Sequence, residues 1–164
     1  MGLATTPRTW LAGEIVTAAE LNAEVRDAIA GIQAAWATYT PAVTASTTNP
    51  TMGTTGLIQT GDYNRIGKTI LGRFNITFGT GMTAGSGTYN ISLPVPPVQN
   101  GANLGAAMIW DTSAGQLFTA VARLSGATAI ISFSAVTNVN MTAAFPMIPA
   151  AGDQINLAFA YQAA

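Results

Sequence analysis

Apolar residues near the start of the chain recur at Ala18, Leu21, Val25, Ala28, Ile32 and Ala35, in steps of 3, 4, 3, 4 and 3. That spacing places all six on one stripe of an α-helix, in the pattern of a short a/d seam. From Trp36 onward the period changes to two. Phe74, Ile76 and Phe78 alternate with Arg73, Asn75 and Thr77. Ile155, Leu157, Phe159 and Tyr161 alternate with Asn156, Ala158 and Ala160, and Ile131, Phe133 and Ala135 with Ser132 and Ser134. Tyr89, Ile91 and Leu93 repeat the pattern. Such alternation predicts strands with one buried and one wet face. Further strands are predicted near 38–45, 57–66, 104–110 and 116–124.

The helix has a well-marked start. Thr17-Ala18-Ala19-Glu20 is a capping box, in which Thr17 and Glu20 satisfy each other's backbone amides. Val16 and Leu21 occupy the positions of a hydrophobic staple. Three of the six seam residues are Ala, and Gly31 costs about 1 kcal/mol relative to Ala. A helix this weak must pack on something. The spacing leaves two options open, its own domain or copies of itself about a symmetry axis. Ahead of it, Pro7, Trp10 and Leu11 form a small apolar arm. Trp10 is suited to anchor in a neighbour or to fold back on Ile15.

Gly and Pro punctuate the strands at Asn49-Pro50, Gly79 to Gly87, Pro94-Val95-Pro96-Pro97, Asn100-Gly101, Gly126, Pro146 to Pro149 and Ala151-Gly152-Asp153. Arg65 to Ile70 reads as a hairpin turning at Gly67-Lys68, and Asn100-Gly101 as a second turn. The predicted class is therefore mainly β. An arm (1–16) and a short amphipathic, coiled-coil-like helix (17–37) precede a β-sandwich or jelly-roll-like domain of about eight strands (38–164).

Composition narrows the function. Charged residues are 8% of the 164-residue chain, against about 25% in ordinary soluble domains. Five of them, Glu14, Glu20, Glu24, Arg26 and Asp27, lie between Thr9 and Trp36. The net charge is −1. No basic patch is present to neutralise phosphates, so no nucleic-acid partner is expected. Neutral surfaces favour association, and interface cores are depleted in charge. No apolar run is long enough for a membrane helix, and no basic-then-apolar leader is seen, so neither membrane insertion nor a signal peptide is expected.

The chain has no Cys, and no His to act as a general base or metal ligand. Asp62, Asp111 and Asp153 are the only acids beyond residue 27. A glycosidase would need two of them facing one bond; turn and strand-end roles suit Asp better. The stretch GDYNRIGKT tempts a phosphate-loop reading, but Gly61 is one residue too distant and a strand comes after it. Matches to the glycosylation pattern at Asn75, Asn90 and Asn140 are expected by chance in so Thr-, Ser- and Asn-rich a chain. Tyr39, Tyr63, Tyr89, Tyr161 and Trp110 suit sugar or protein contacts, or a core. No catalytic residue, metal or cofactor is expected.

Two segments carry a resemblance. TPRTWLAGEIVTAAELNAEVRDAI is similar to the opening of small structural proteins of tailed bacteriophages and prophages, particularly of actinobacteria. The stretch from Tyr39-Thr40-Pro41 through Ile66-Gly67-Lys68-Thr69 and Gly87-Thr88-Tyr89 to Leu93-Pro94-Val95-Pro96 resembles the β domain that comes next in those proteins. The shared features also include Thr9-Trp10, Ala12-Gly13-Glu14, Thr17, Asn22 and Arg26-Asp27, and span roughly residues 6 to 97. The resemblance implies a non-enzymatic virion surface protein, assembled in the bacterial cytoplasm. It implies a homotrimeric short fibre or knob in the tail (a minor tail protein for host adhesion) or, alternatively, a capsid decoration protein stabilising the head. Its partners would be copies of itself, tail or major capsid proteins, and a host surface glycan.

Overall fold

The computed structural model describes residues 9–133 and 139–164. Strand accounts for 49% of the described residues, with one short helical segment near the N-terminus. The strands are β1 (Ala37–Tyr39), β2 (Val43–Ala45), β3 (Ile58–Ile66), β4 (Thr69–Thr77), β5 (Tyr89–Ser92), β6 (Asn103–Asp111), β7 (Gln116–Ser125), β8 (Thr128–Phe133), β9 (Val139–Asn140) and β10 (Gln154–Gln162). All pair antiparallel in one sheet of order β1-β3-β4-β10-β6-β7-β8-β5-β2, with β9 added to β8.

That order curls the sheet on itself. β1 and β2 stand at its opposite edges, yet Tyr39 and Val43 are four residues apart, about 14 Å at full extension. The two edges must therefore meet in the segment 37–45. Buried Pro41 marks the bend, where a residue without an amide donor is tolerated. Its carbonyl accepts the Gln59 Nε2 donor of β3 at 2.9 Å. On the other side, the Ala42 amide donates to Ser92 Oγ at 2.8 Å, and the Ser92 amide donates to the Ala42 carbonyl at 2.9 Å. One bent strand thus bridges both margins. The predicted strand at 38–45 is split by this bend, and β9 is an addition the alternation did not reveal.

The core fills the inside of the curl. β4 contributes Ile70, Phe74 and Ile76, and β10 contributes Ile155, Leu157, Phe159 and Tyr161, all buried as the alternation predicts. Ile109, Leu124, Ile131, Tyr89 and Ile91 close on them from the other strands. The predicted alternation through Phe133 and Ala135 runs beyond the described side chains. Gly67 turns the β3–β4 hairpin with φ +61°, the left-handed conformation that its place as first turn residue requires. Asn100-Gly101 does not form a second two-residue hairpin. Instead Asn100 Oδ1 accepts the Gly126 amide at 3.0 Å, packing this loop on the β7–β8 turn.

The Gly79–Gly87 stretch is not a plain break. Isolated bridges Thr48↔Ser86, Thr51↔Thr83 and Thr55↔Thr80 zip it to residues 48–55. Gly53 and Gly85 permit the close approach: an added Cβ would strike Gly79 and Thr48 backbone atoms, respectively.

Candidate functional site

The helical segment is α1 (Ala18–Leu21), a π-helical turn (Asn22–Arg26) and α2 (Asp27–Ile32). Its start agrees with the sequence. Glu20 N–H donates to Thr17 Oγ1 at 3.3 Å, and Thr17 N–H donates to Glu20 Oε2 at 2.8 Å. The predicted staple is not closed into a buried contact, because Val16 and Leu21 are both exposed. Arg26 pairs with Asp27 at 2.8 Å, a surface ion pair worth little.

The apolar face is open. Leu21 and Val25 are each 49% exposed and Ile32 51%. Ala18 is exposed as well; the Ala28 side chain lies outside the described residues. The predicted seam also needs correction. Ile29, absent from the strict 3-4 pattern, lies on the stripe, where it lines one shallow groove with Leu21, Val25, Arg26, Ala30 and Gln33. Ile29 stands four residues beyond Val25 and eight beyond Leu21, a spacing that puts the three on one helix face. Ala35 leaves the seam, because α2 ends at Ile32 and Gln33 caps it with non-helical angles.

The helix meets its own sheet at its C-terminal end, against β3. Gly31 is buried there, and Asn64 Nδ2 of β3 donates to the Ala34 carbonyl at 3.0 Å. Trp36, half exposed, sits with its ring centroid 5.9 Å from the Arg73 guanidinium carbon. In the arm, Trp10 and Leu11 are exposed, and Ile15 is 87% exposed, so Trp10 does not cover it. Leu11 and Glu14 close a turn through Glu14 Oε2, which accepts the Leu11 amide at 3.0 Å. Pro7 lies outside the described residues.

The tyrosines are mainly core. Tyr39, Tyr63, Phe159 and Tyr161 form a run of tilted and edge-on rings with centroids 5.8–6.4 Å apart. Burial pushes the Tyr39 hydroxyl well above the usual phenol range, and its oxygen has no hydrogen-bond partner. Burial raises Tyr161 too, although its hydroxyl is held by the backbone, donating to the Val95 carbonyl at 2.6 Å. Tyr89 is pushed up to about 12 by burial.

The three later carboxylates are each engaged. Asp62 lies within β3, opposite Arg73 of β4 at 3.6 Å, rather than at a turn. Asp111 ends β6 and folds the next turn by accepting the Ala114 amide at 2.9 Å and Ser113 Oγ at 2.8 Å, contacts that lower its pKa. Asp153, 1% exposed, accepts the Thr112 amide at 2.9 Å and the Ala150 amide at 2.8 Å. The GDYNRIGKT stretch forms β3 and its hairpin turn, with β4 and no helix after it. Among the described residues no group of three or more acidic side chains is placed to hold a metal ion, and no helix is long and apolar enough to cross a membrane.

A second surface feature was not foreseen from sequence. The outward faces of β3, β4, β10, β6 and β7 form a groove of about 640 Å³. Alternation marks Asn75 and Asn156 as outward, but their alignment with Thr60, Met108 and Thr119 depends on cross-strand register.

No protein-family profile, curated protein or solved structure matches the chain.

Proposed function

We propose that the protein is a non-enzymatic structural component of a bacteriophage particle. Three chains would join along the helix and present the β domain as a jelly-roll-like knob on the virion surface. The observation that carries this reading is the open stripe of Leu21, Val25, Ile29 and Ile32. A helix with this much exposed apolar surface and little contact with its own sheet is marginal alone. Cover from identical helices would remove its apolar face from water.

The resemblance of residues 6–97 to tailed-phage proteins supports the virion setting and favours a tail-associated adhesin. Residues 1–16, with Trp10 and Leu11 exposed, would be the docking arm toward a tail protein. A host glycan would be met by the head. Avidity suits such an arrangement, since three weak contacts on one base act as one strong one.

Gold-labelled antibody against residues 38–164, imaged on intact virions, tests the address. Label on the tail agrees with adhesion. Label distributed over the head contradicts it and favours decoration of the capsid, with residues 1–16 gripping the major capsid protein.

A further inference from the structure

We propose that the outward groove over β3, β4, β10, β6 and β7 binds an uncharged oligosaccharide. This deepens the adhesion reading above by naming a place and a ligand class. It does not depend on how many chains assemble.

The register builds the site. Thr60 pairs with Asn75, Asn75 with Asn156, Asn156 with Met108, and Met108 with Thr119. These five outward side chains form one row across five strands, spanning roughly 19 Å at ordinary strand spacing. Hydroxyls stand at both ends and two neighbouring carboxamides at the centre. Carboxamides and hydroxyls each donate and accept, as the vicinal hydroxyls of a sugar do. The next row supplies Ala158 and Ala106, small apolar side chains on which the C–H face of a sugar ring can rest.

Charge excludes the alternatives. The groove's two charged lining residues, Asp62 and Arg73, face each other at 3.6 Å and leave no surplus for an anion or a cation. The half-exposed Trp36 ring, outside the lining, packs against the Arg73 guanidinium.

One atom lacks a donor. Asn75 Oδ1, on a residue lining the groove, is buried and has no hydrogen-bond partner. Buried acceptors are normally satisfied; rotation about the soft χ2 of Asn75 would turn this oxygen toward a ligand hydroxyl. A second copy of the chain is a poorer occupant. Interface cores favour aromatic, Met and Arg anchors; Met108 and Arg73 do line the groove, but Arg73 is paired with Asp62 and the other four members of the row are Thr or Asn.

The test uses the full chain, isotope-labelled for NMR. It is titrated with linear uncharged oligosaccharides of glucose, galactose, mannose and arabinose, and with an acidic galacturonate series. The expected result is saturable movement of the Asn75 and Asn156 side-chain amide signals with at least one uncharged series. Asn156→Ala should weaken that binding about tenfold, as the loss of one good hydrogen bond does, while Thr44→Ala on the remote strand β2 leaves it unchanged. The spectra themselves report whether each variant is folded. No movement with any uncharged series at millimolar concentration, or movement with the acidic series alone, overturns the proposal. So does a fall in molar mass on Asn156→Ala, which would mean that a second copy fills the groove. Molar mass is read in the same samples. A monomer that binds sugar contradicts the three-chain assembly and leaves this site standing, whereas a trimer that binds none does the reverse.

Discussion

The Phe159 ring of β10 lies across the α-carbon of Gly72, its cross-strand partner in β4. A Cβ at Gly72 would collide with that ring, and one at Gly61 would collide with the ring of Tyr39. Aromatic side chains thus cover two strand glycines, filling the space that the missing side chains leave. Gly72→Ala is expected to destabilise the fold by about 1–3 kcal/mol, the usual effect of overpacking. Chemical denaturation measures it. Adding Phe159→Leu to Gly72→Ala should cost less than the sum of the two single changes, because the smaller side chain makes room. Strict additivity would contradict the contact.

Much of the fold was legible along the chain because burial obeys a period of two. Ile155 to Tyr161 and Phe74 to Phe78 are buried where the alternation puts them. The path of the sheet was not legible. That β1 and β2 are the two edges, brought together by the bend at Pro41, depends on pairings between residues far apart in sequence. The capping box at Thr17 and Glu20 was readable because its interactions span three residues. The place of Ile29 was missed because the strict 3-4 pattern passes over its i+4 spacing from Val25. The groove was hidden for the same reason as the sheet path: its row is assembled from five strands.

Asp153 ties the loop before β10 to the end of β6 through the amides of Thr112 and Ala150. Asp153→Ala leaves both donors without this acceptor, at about 1–3 kcal/mol for each amide that water cannot reach. Asp153→Asn keeps one acceptor oxygen and should cost less. Equal melting temperatures for wild type and Asp153→Ala would contradict a structural role for this carboxylate.

Alkaline pH should unfold the protein through its tyrosines. Tyr89 titrates at about 12 when folded, above its ordinary value of 10.0. Tyr39 and Tyr161 are shifted the same way. Between these values the unfolded chain has lost a proton that the folded chain keeps, so stability falls as pH rises. It is fully present below pH 10 and declines progressively toward pH 12. Tyrosinate absorbance and circular dichroism should change together over that range. Complete tyrosine ionisation with native dichroism would contradict the burial of these hydroxyls.

The cap links helix stability to assembly. Thr17→Ala removes the hydroxyl that accepts the Glu20 amide and should cost about 1 kcal/mol per chain, or about fivefold in association for each chain ordered. The mid-point of dissociation on serial dilution should move to higher protein concentration, while Thr17→Asp restores it. A midpoint unmoved by Thr17→Ala would separate the helix from the assembly.

The molar mass of the chain in solution tests the central claim most directly. Light scattering over a wide concentration range should give about 50 kDa, three chains of 16.8 kDa. Leu21→Asp with Ile32→Asp should return it to a single chain with the β-sheet spectrum intact. A mass of 16.8 kDa at every concentration, or an assembly indifferent to both aspartates, would contradict the account.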